Sequence, residues 1–204
     1  MSNSSDGYVK YTVEHTITPA MDIPHWAEIN DARTQLYQMG LVGGHPNGVG
    51  FGNISVRLQG NEFIISGTAT GALPVLDSGK FCLIKSFDLE KNYVVAMGPV
   101  KPSAESMTHG AVYKSSSGAN CVIHIHSRRI FDGMVRDCCS STPGDATYGS
   151  PEIALAVEKC IRELGKDEGR IVMLGHDEGV IAYGPSVERA FALVQELYDK
   201  YRGS

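Results

Sequence analysis

The chain has 204 residues, 42% hydrophobic and 20% charged, with a formal net charge of −5. That length favours one domain that can bury a full core without staples, and the acidic balance offers no basic field for nucleic acid or an anionic membrane surface. No apolar run approaches the roughly 20 residues needed to span a bilayer, and no basic stretch followed by an apolar run marks a secretory leader.

Residues 1–20 are polar and mixed, either an N-terminal arm or an edge strand. From Ile23 to Met39 the apolar positions Trp26, Ile29, Ala32, Leu36 and Met39 recur at helical spacing, with Pro24 suited to the first turn and Gly40 to the stop. Glycines crowd residues 40–53. Two strand-like runs follow, Ile54–Leu58 and Glu62–Ser66, joined by the turn Gln59-Gly60-Asn61. Gly67 to Gly71 forms a second loop, and Phe81–Phe87 and Tyr93–Met97 read as strands. Pro102 to Tyr113 reads as a helix with Ser103 near its start. Cys121–His126 is a short apolar strand carrying two histidines. Pro151–Leu164 is an amphipathic helix, Ile171–Leu174 and Val180–Tyr183 are strands, and a last helix runs from the N-cap Ser186 to Tyr201. Helices before, within and after many short strands indicate a layered α/β domain. The five cysteines, with Cys138 and Cys139 adjacent, read as reduced thiols of a cytoplasmic protein rather than a disulfide framework.

The run Cys121-Val-Ile-His-Ile-His126 carries the most chemistry. Side chains alternate along a strand, so His124 and His126 share a face, roughly 6.5–7 Å apart at their backbones. Imidazoles so placed can converge on one ion, while Ile123 and Ile125 turn to the core. An isolated pair of this kind also suits the wet face of an edge strand. Two further features favour a metal. His176 ends an apolar strand in a turn, where it can look into a pocket, and Glu105 follows a Pro-Ser helix start. An open zinc site takes about three protein ligands and leaves a position for water or substrate. His109 shares a helix face with Glu105. His15, His25 and His45 lack ligand spacing and read as surface or structural residues, and Arg128 and Arg129 read as solvated loop charge.

Six motifs then occur in order across residues 26–197: Gly52-Asn53-Ile54-Ser55, Phe63-Ile-Ile-Ser-Gly67, Lys101-Pro-Ser-Ala-Glu105 with His109, His124-Ile-His126-Ser127, Thr147-Tyr-Gly-Ser-Pro-Glu-Ile-Ala154 and Leu174-Gly-His176. In this order and spacing they resemble the class II aldolase/adducin family, which includes fuculose- and rhamnulose-phosphate aldolases, ribulose-phosphate 4-epimerases and methylthioribulose-phosphate dehydratases. The resemblance implies a single three-layer αβα domain over residues 1–204, with a central, largely antiparallel sheet, assembled as a homotetramer with sites near subunit boundaries. It implies zinc, or another divalent metal, on His124, His126 and His176. Glu105 would bind or leave the metal and transfer protons as the catalytic residue. Asn53, Ser66, Gly67, Thr70, Gly71 and Ser103 match positions that cradle a substrate phosphate, where exposed backbone N–H groups, hydroxyls and a helix start suit an anion.

The chain departs from the family pattern in places. Ala104 stands where a second serine often precedes the glutamate, Ile125 replaces a threonine between the zinc histidines, and Gly175-His-Asp-Glu-Gly179 replaces Asn-His-Gly. The segment between Ser127 and Thr147 is short and lacks the tyrosine that some aldolases use as an acid. The expected activity is aldol cleavage of a small hydroxy-ketone or sugar phosphate through a metal-stabilised enediolate. Epimerisation, dehydration and decarboxylation share that chemistry. An adducin-like interaction module and a non-catalytic metal protein are the rivals from other classes.

Overall fold

The computed structural model describes residues 9–203. Residues 1–8, the first part of the expected arm, lie outside the described residues. The rest of the arm enters the sheet as β1 (Thr12–Thr16), and its alternation of exposed and half-buried residues is that of an edge strand. α1 (Trp26–Gln38) buries Ile29, Ala32, Arg33 and Leu36 along one stripe. It begins later than Ile23 because His25 adopts the left-handed region at φ 57°. The glycine-rich stretch folds into a small hairpin, β2 (Gly43–Gly44) with β3 (Gly50–Phe51), which leads directly into β4 (Asn53–Arg57) and β5 (Phe63–Ser66). The turn between these last two closes through Leu58 N–H donating to Glu62 O at 2.9 Å.

β6 (Phe81–Asp88) and β7 (Tyr93–Met97) form the next antiparallel pair. α2 spans Ser106–Ser115, not Pro102–Tyr113 as its local signals suggest. Lys101 and Pro102 are drawn instead to the 67–68 backbone: Pro102 bridges Gly67, and Thr68 N–H donates to Lys101 O at 2.9 Å. An extended conformation is also what proline imposes on the residue before it. Glu105 is thereby left at the N-cap of α2, where its side chain makes no capping bond. β8 (Cys121–His126) follows, then α3 (Arg128–Arg136), a helix where loop charge was expected. Its N-cap Ser127 accepts from Ile130 N–H, and Ile130, Phe131 and Met134 are buried. β9 (Ser141–Thr142), α4 (Pro151–Leu164), β10 (Gly169–Met173), β11 (Gly179–Gly184) and α5 (Val187–Tyr201) complete the described elements. The Ser186 hydroxyl caps α5 by accepting from Arg189 N–H.

Nine strands form one sheet in the order β1-β7-β6-β5-β4-β8-β11-β10-β9. This sheet is mixed, which corrects the expectation of a largely antiparallel one. β1 runs parallel to β7 and β9 parallel to β10, so parallel pairs at both edges flank an antiparallel interior. Each edge strand reaches its partner from a distant part of the chain, a pairing that no local turn dictates. Helices cover both faces. Ile29 and Leu36 of α1, Ile130 and Met134 of α3 and Val194 and Leu197 of α5 pack with Ile54, Ile123 and Ile125 on one side. Ala111 and Val112 of α2 and Ile153 and Val157 of α4 pack with Ile65, Val122 and Ile181 on the other. β8 lies near the middle of the sheet, and all of its residues are buried. Among the described residues no helix is long and apolar enough to cross a membrane.

A polar chain threads the second face. His109 Nδ1 lies 2.7 Å from Ser55 Oγ, which lies 2.7 Å from Tyr113 Oη, while His109 Nε2 has no hydrogen-bond partner. Burial lowers the His109 pKa from 6.5 to about 3. A folded-state pKa below the unfolded one means that the unfolded chain binds more protons as pH falls. The stabilisation from keeping His109 neutral is therefore present in full above pH 6.5 and is lost as pH drops toward 3. The unfolding free energy from urea titration is expected to fall between pH 7.5 and 5, by up to about 1.4 kcal/mol per pH unit for one buried histidine. His109→Gln should shallow that slope. An unchanged slope in the variant would show that His109 is not the group responsible.

Candidate active site

Strand alternation on β8 sends Ile123 and Ile125 toward α1 and α5 and places His124 and His126 on the side of α2 and α4. Across the sheet, His124 faces Asn53 of β4 and Ile181 of β11, and His126 faces Gly179. His176 arrives from the turn between β10 and β11, where its N–H donates to Met173 O at 2.9 Å. Two glycines admit it. A Cβ on Gly179 would stand 3.1 Å from the His176 ring, and one on Gly175 would stand 1.8 Å from Ala146 O. The close approach at Gly175 lets Tyr148 N–H donate to Gly175 O at 3.0 Å and sets the Tyr148 ring 4.4 Å from that of His176.

The three imidazoles of His124, His126 and His176 converge, each offering a nitrogen within 4.8 Å of the others. His124 Nε2 and His126 Nε2 are 3.0 Å apart. Burial lowers the His124 pKa to about 3, helped by neighbouring His109. Burial, followed by the adjacent imidazoles, pushes His126 and His176 well below their ordinary value. All three are neutral at pH 7, the form in which a histidine binds metal. His124 Nδ1 lies 3.2 Å from Val180 O. A proton on Nδ1 donated to that carbonyl leaves the Nε2 lone pair directed at the cluster, the usual way a second contact fixes the ligating nitrogen. This donor set fits a divalent ion that prefers nitrogen, with room for water or substrate.

Glu105 is buried beside the cluster, with Oε1 3.4 Å from His176 Nδ1. Thr108 Oγ1 donates to Glu105 Oε2 at 2.5 Å and so fixes the plane of the carboxylate. The Ser103 hydroxyl oxygen accepts from Asn53 Nδ2 at 3.0 Å and from Glu105 N–H at 3.2 Å. With both bonds accepted, its own proton remains for a ligand. Tyr11 Oη donates to Ser103 O at 2.7 Å and holds the turn from below.

These groups open on one cleft, lined by His124, His126, His176, Glu105, Ser103, Asn53 and the loop from Gly67 to Gly71. Ser66 stands apart. Its hydroxyl accepts from Ile54 N–H at 3.2 Å, and it is not among the lining residues. The Thr70 hydroxyl donates to Gly67 O at 2.8 Å, which closes the loop on itself. Residues not singled out in the sequence also contribute. Tyr148 forms a wall against His176, and Phe51 lines the cleft with its ring 5.5 Å from that of His126. His45, read above as surface or structural, lies against Phe51 at 4.7 Å. The Thr147-Tyr-Gly-Ser motif was the available signal for Tyr148. Nothing local marked Phe51.

The sequence profile of the Class II Aldolase and Adducin N-terminal domain matches residues 27–131. A curated relative, 3-oxo-tetronate 4-phosphate decarboxylase of Haemophilus influenzae, is 34% identical over 80 residues. That match covers 38% of this chain and 34% of the relative's length. Among solved structures, YgbL from Klebsiella pneumoniae, described as a candidate aldolase/epimerase/decarboxylase, superposes with a TM-score of 0.66 at 18% identity, covering 86% of each chain. L-fuculose-1-phosphate aldolase from Thermus thermophilus superposes with a TM-score of 0.59 at 21% identity, covering 87% of this chain and 91% of that one. At these identities the structural likeness speaks for the fold, and the profile match speaks for descent: this chain belongs to the class II aldolase and adducin family.

Proposed function

We propose that the protein is a divalent-metal-dependent lyase acting on a small phosphorylated hydroxy-carbonyl compound. The observation that carries this reading is the convergence of His124, His126 and His176 in a cleft whose wall is Glu105. Zinc is the favoured ion for a nitrogen-only set of this kind. Held by these residues, it would supply Lewis-acid stabilisation of negative charge on a substrate oxygen.

The chain's own residues supply the rest. Glu105, with one oxygen held by Thr108, presents the other to the cleft as the group that takes a proton from substrate and returns it to carbon. Asn53, Ser103 and the Gly67–Gly71 loop favour an anionic end, where Ala104 removes one hydroxyl donor that relatives often have. Tyr148 and Phe51 shield the reacting end from water. In aldol cleavage, the base removes the hydroxyl proton, the C–C bond breaks, and the electron pair is left beside a carbonyl. Loss of carbon dioxide from a β-oxo acid leaves the pair in the same place, so the same residues serve both reactions. Aldol cleavage is the reading taken from the motifs. Decarboxylation of a phosphorylated oxo acid is the second reading, favoured by the 80-residue match to the Haemophilus influenzae decarboxylase. We take the active form to be a homo-oligomer, with the tetramer as the expected size.

Purified protein is expected to carry about one divalent ion per chain. His124→Ala combined with His126→Ala should abolish it in elemental analysis, and full occupancy in that double variant would exclude the site. With a turnover assay on aldol and decarboxylation substrates, Glu105→Gln should cut kcat by about 10²–10⁴-fold, the usual worth of a general acid–base group. Metal content should stay near that of the parent, since the histidines suffice as ligands. Near-normal turnover in Glu105→Gln would remove Glu105 from the chemistry, while activity without any bound ion would favour another enzyme class, and no turnover on any substrate would favour an interaction module.

A further inference from the structure

The cleft has an electrostatic gap. None of its lining residues is a lysine or arginine, yet the proposed substrate carries a phosphate. One buried cation lies behind the wall. Arg33 is 2% exposed, and its guanidinium donates to backbone carbonyls of the loop: to Thr70 O at 3.0 Å, to Gly71 O at 2.8 Å, and to Leu73 O. Among the described residues no carboxylate pairs with it; the aromatic ring of Tyr37, 5.4 Å away, is its other neighbour. Lys10 lies over the Tyr148 ring on the histidine side of the cleft, and exposed Lys101 meets the loop through its backbone, where its carbonyl accepts from Thr68 N–H.

We propose that Arg33 is a positioning residue that holds the 67–73 loop in its anion-binding form and sets the affinity of the cleft for the substrate's phosphate. The inference rests on the phosphate-binding reading given above. Three physical arguments carry it. A planar guanidinium can satisfy several fixed acceptors at once, which a lysine cannot do. Carbonyl and N–H point in opposite directions across a trans peptide, so drawing the Thr70 and Gly71 carbonyls toward α1 turns the Gly71 and Ala72 N–H groups away from it. Last, a buried cation without a counter-charge is unfavourable until an anion comes near. Residues 67–73 contain no charged side chain, so the charge bonded directly to the loop is that of Arg33. Within the loop Ala69 holds φ at 59°, a left-handed conformation that a residue with a Cβ resists. The Arg33 bonds to Thr70 O and Gly71 O, immediately after it, help to offset that strain.

Arg33 also follows Ile29 by one helical turn and precedes Leu36, so it occupies the buried stripe of α1 where an apolar residue would pack. A leucine there would fill space equally well but would give the loop carbonyls no donor.

The test uses inorganic phosphate with the protein as purified, reading affinity by calorimetry and location by amide hydrogen exchange. Wild-type protein should bind phosphate, and binding should slow exchange within residues 67–73. Arg33→Met should bind about tenfold more weakly or worse, the usual worth of hydrogen bonds to a charged group. Arg33→Lys, which keeps the charge but loses the fork, should fall between the two. In steady state the loss should appear in KM for a phosphorylated substrate more than in kcat. Folded variants that bind phosphate as the wild type does would overturn the role of Arg33 and leave the phosphate reading intact. Wild-type protein that shows no phosphate-dependent protection at 67–73 would instead overturn the phosphate reading, and this inference with it. Should Arg33→Met fail to fold, Arg33→Lys decides: phosphate affinity and phosphate-dependent protection at 67–73 equal to the wild type would refute the clamp.

Discussion

His124, His126 and His176 lie at the centre of the molecule, 1%, 6% and 2% exposed, and an apolar sheet tolerates them there because burial keeps them uncharged. A charged imidazole in this place would meet low polarisability and two like neighbours at once, and both effects disfavour it. Most features of the site answer to that constraint. The Val180 carbonyl occupies one nitrogen of His124. Glycine opposite His126 leaves room for the third ring. The carboxylate of Glu105 stands next to His176, where it can balance a positive ion. The centre is arranged for a cation that comes from outside rather than one made by protonation.

The proposed anion-binding side obeys the complementary rule. A phosphate brings more charge than neutral amides and hydroxyls can match, and a lysine placed in the cleft would compete with the metal for Glu105. Placing the guanidinium behind the loop separates the two charges. In the proposed site the field of Arg33 would reach an anion through a layer of backbone, while its hydrogen bonds hold the loop. Helix α1 thus serves the cleft without lining it.

Strong local patterns were readable to within a residue or two. Cys121–His126 and Pro151–Leu164 came out with the expected bounds, and α5 starts after Ser186 as its capping hydroxyl predicts. The histidines and Glu105 were singled out by the alternation of β8 and by the ordered motifs, and the fold brings them to one cleft. Tertiary pairing decided the rest. The Pro-Ser signal placed α2 too early, since Lys101 and Pro102 bond to the 67–68 backbone. The parallel edges depend on partners far off in the chain, such as Thr12 with Tyr93. α3 was hidden because Arg128 and Arg129 resemble loop charge, although Arg128 in fact pairs with Asp132, Asp177 and Glu178. Arg33 escaped notice because a lone arginine in a helix ordinarily faces water, and only the folded loop supplies its acceptors.

The alternation of β8 has a consequence for assembly of the sheet itself. Isoleucine and histidine take turns along it, so a slip of one residue against β4 and β11 would direct Ile123 and Ile125 at the cleft and press both histidines into the apolar layer under α1 and α5. Such a sheet keeps its hydrogen-bond ladder but loses the nitrogen cluster. A divalent ion present during folding can bind the correct alignment and not the shifted one, and its binding free energy widens the gap between them. The cofactor would then act before any catalysis, as a proofreader of strand register.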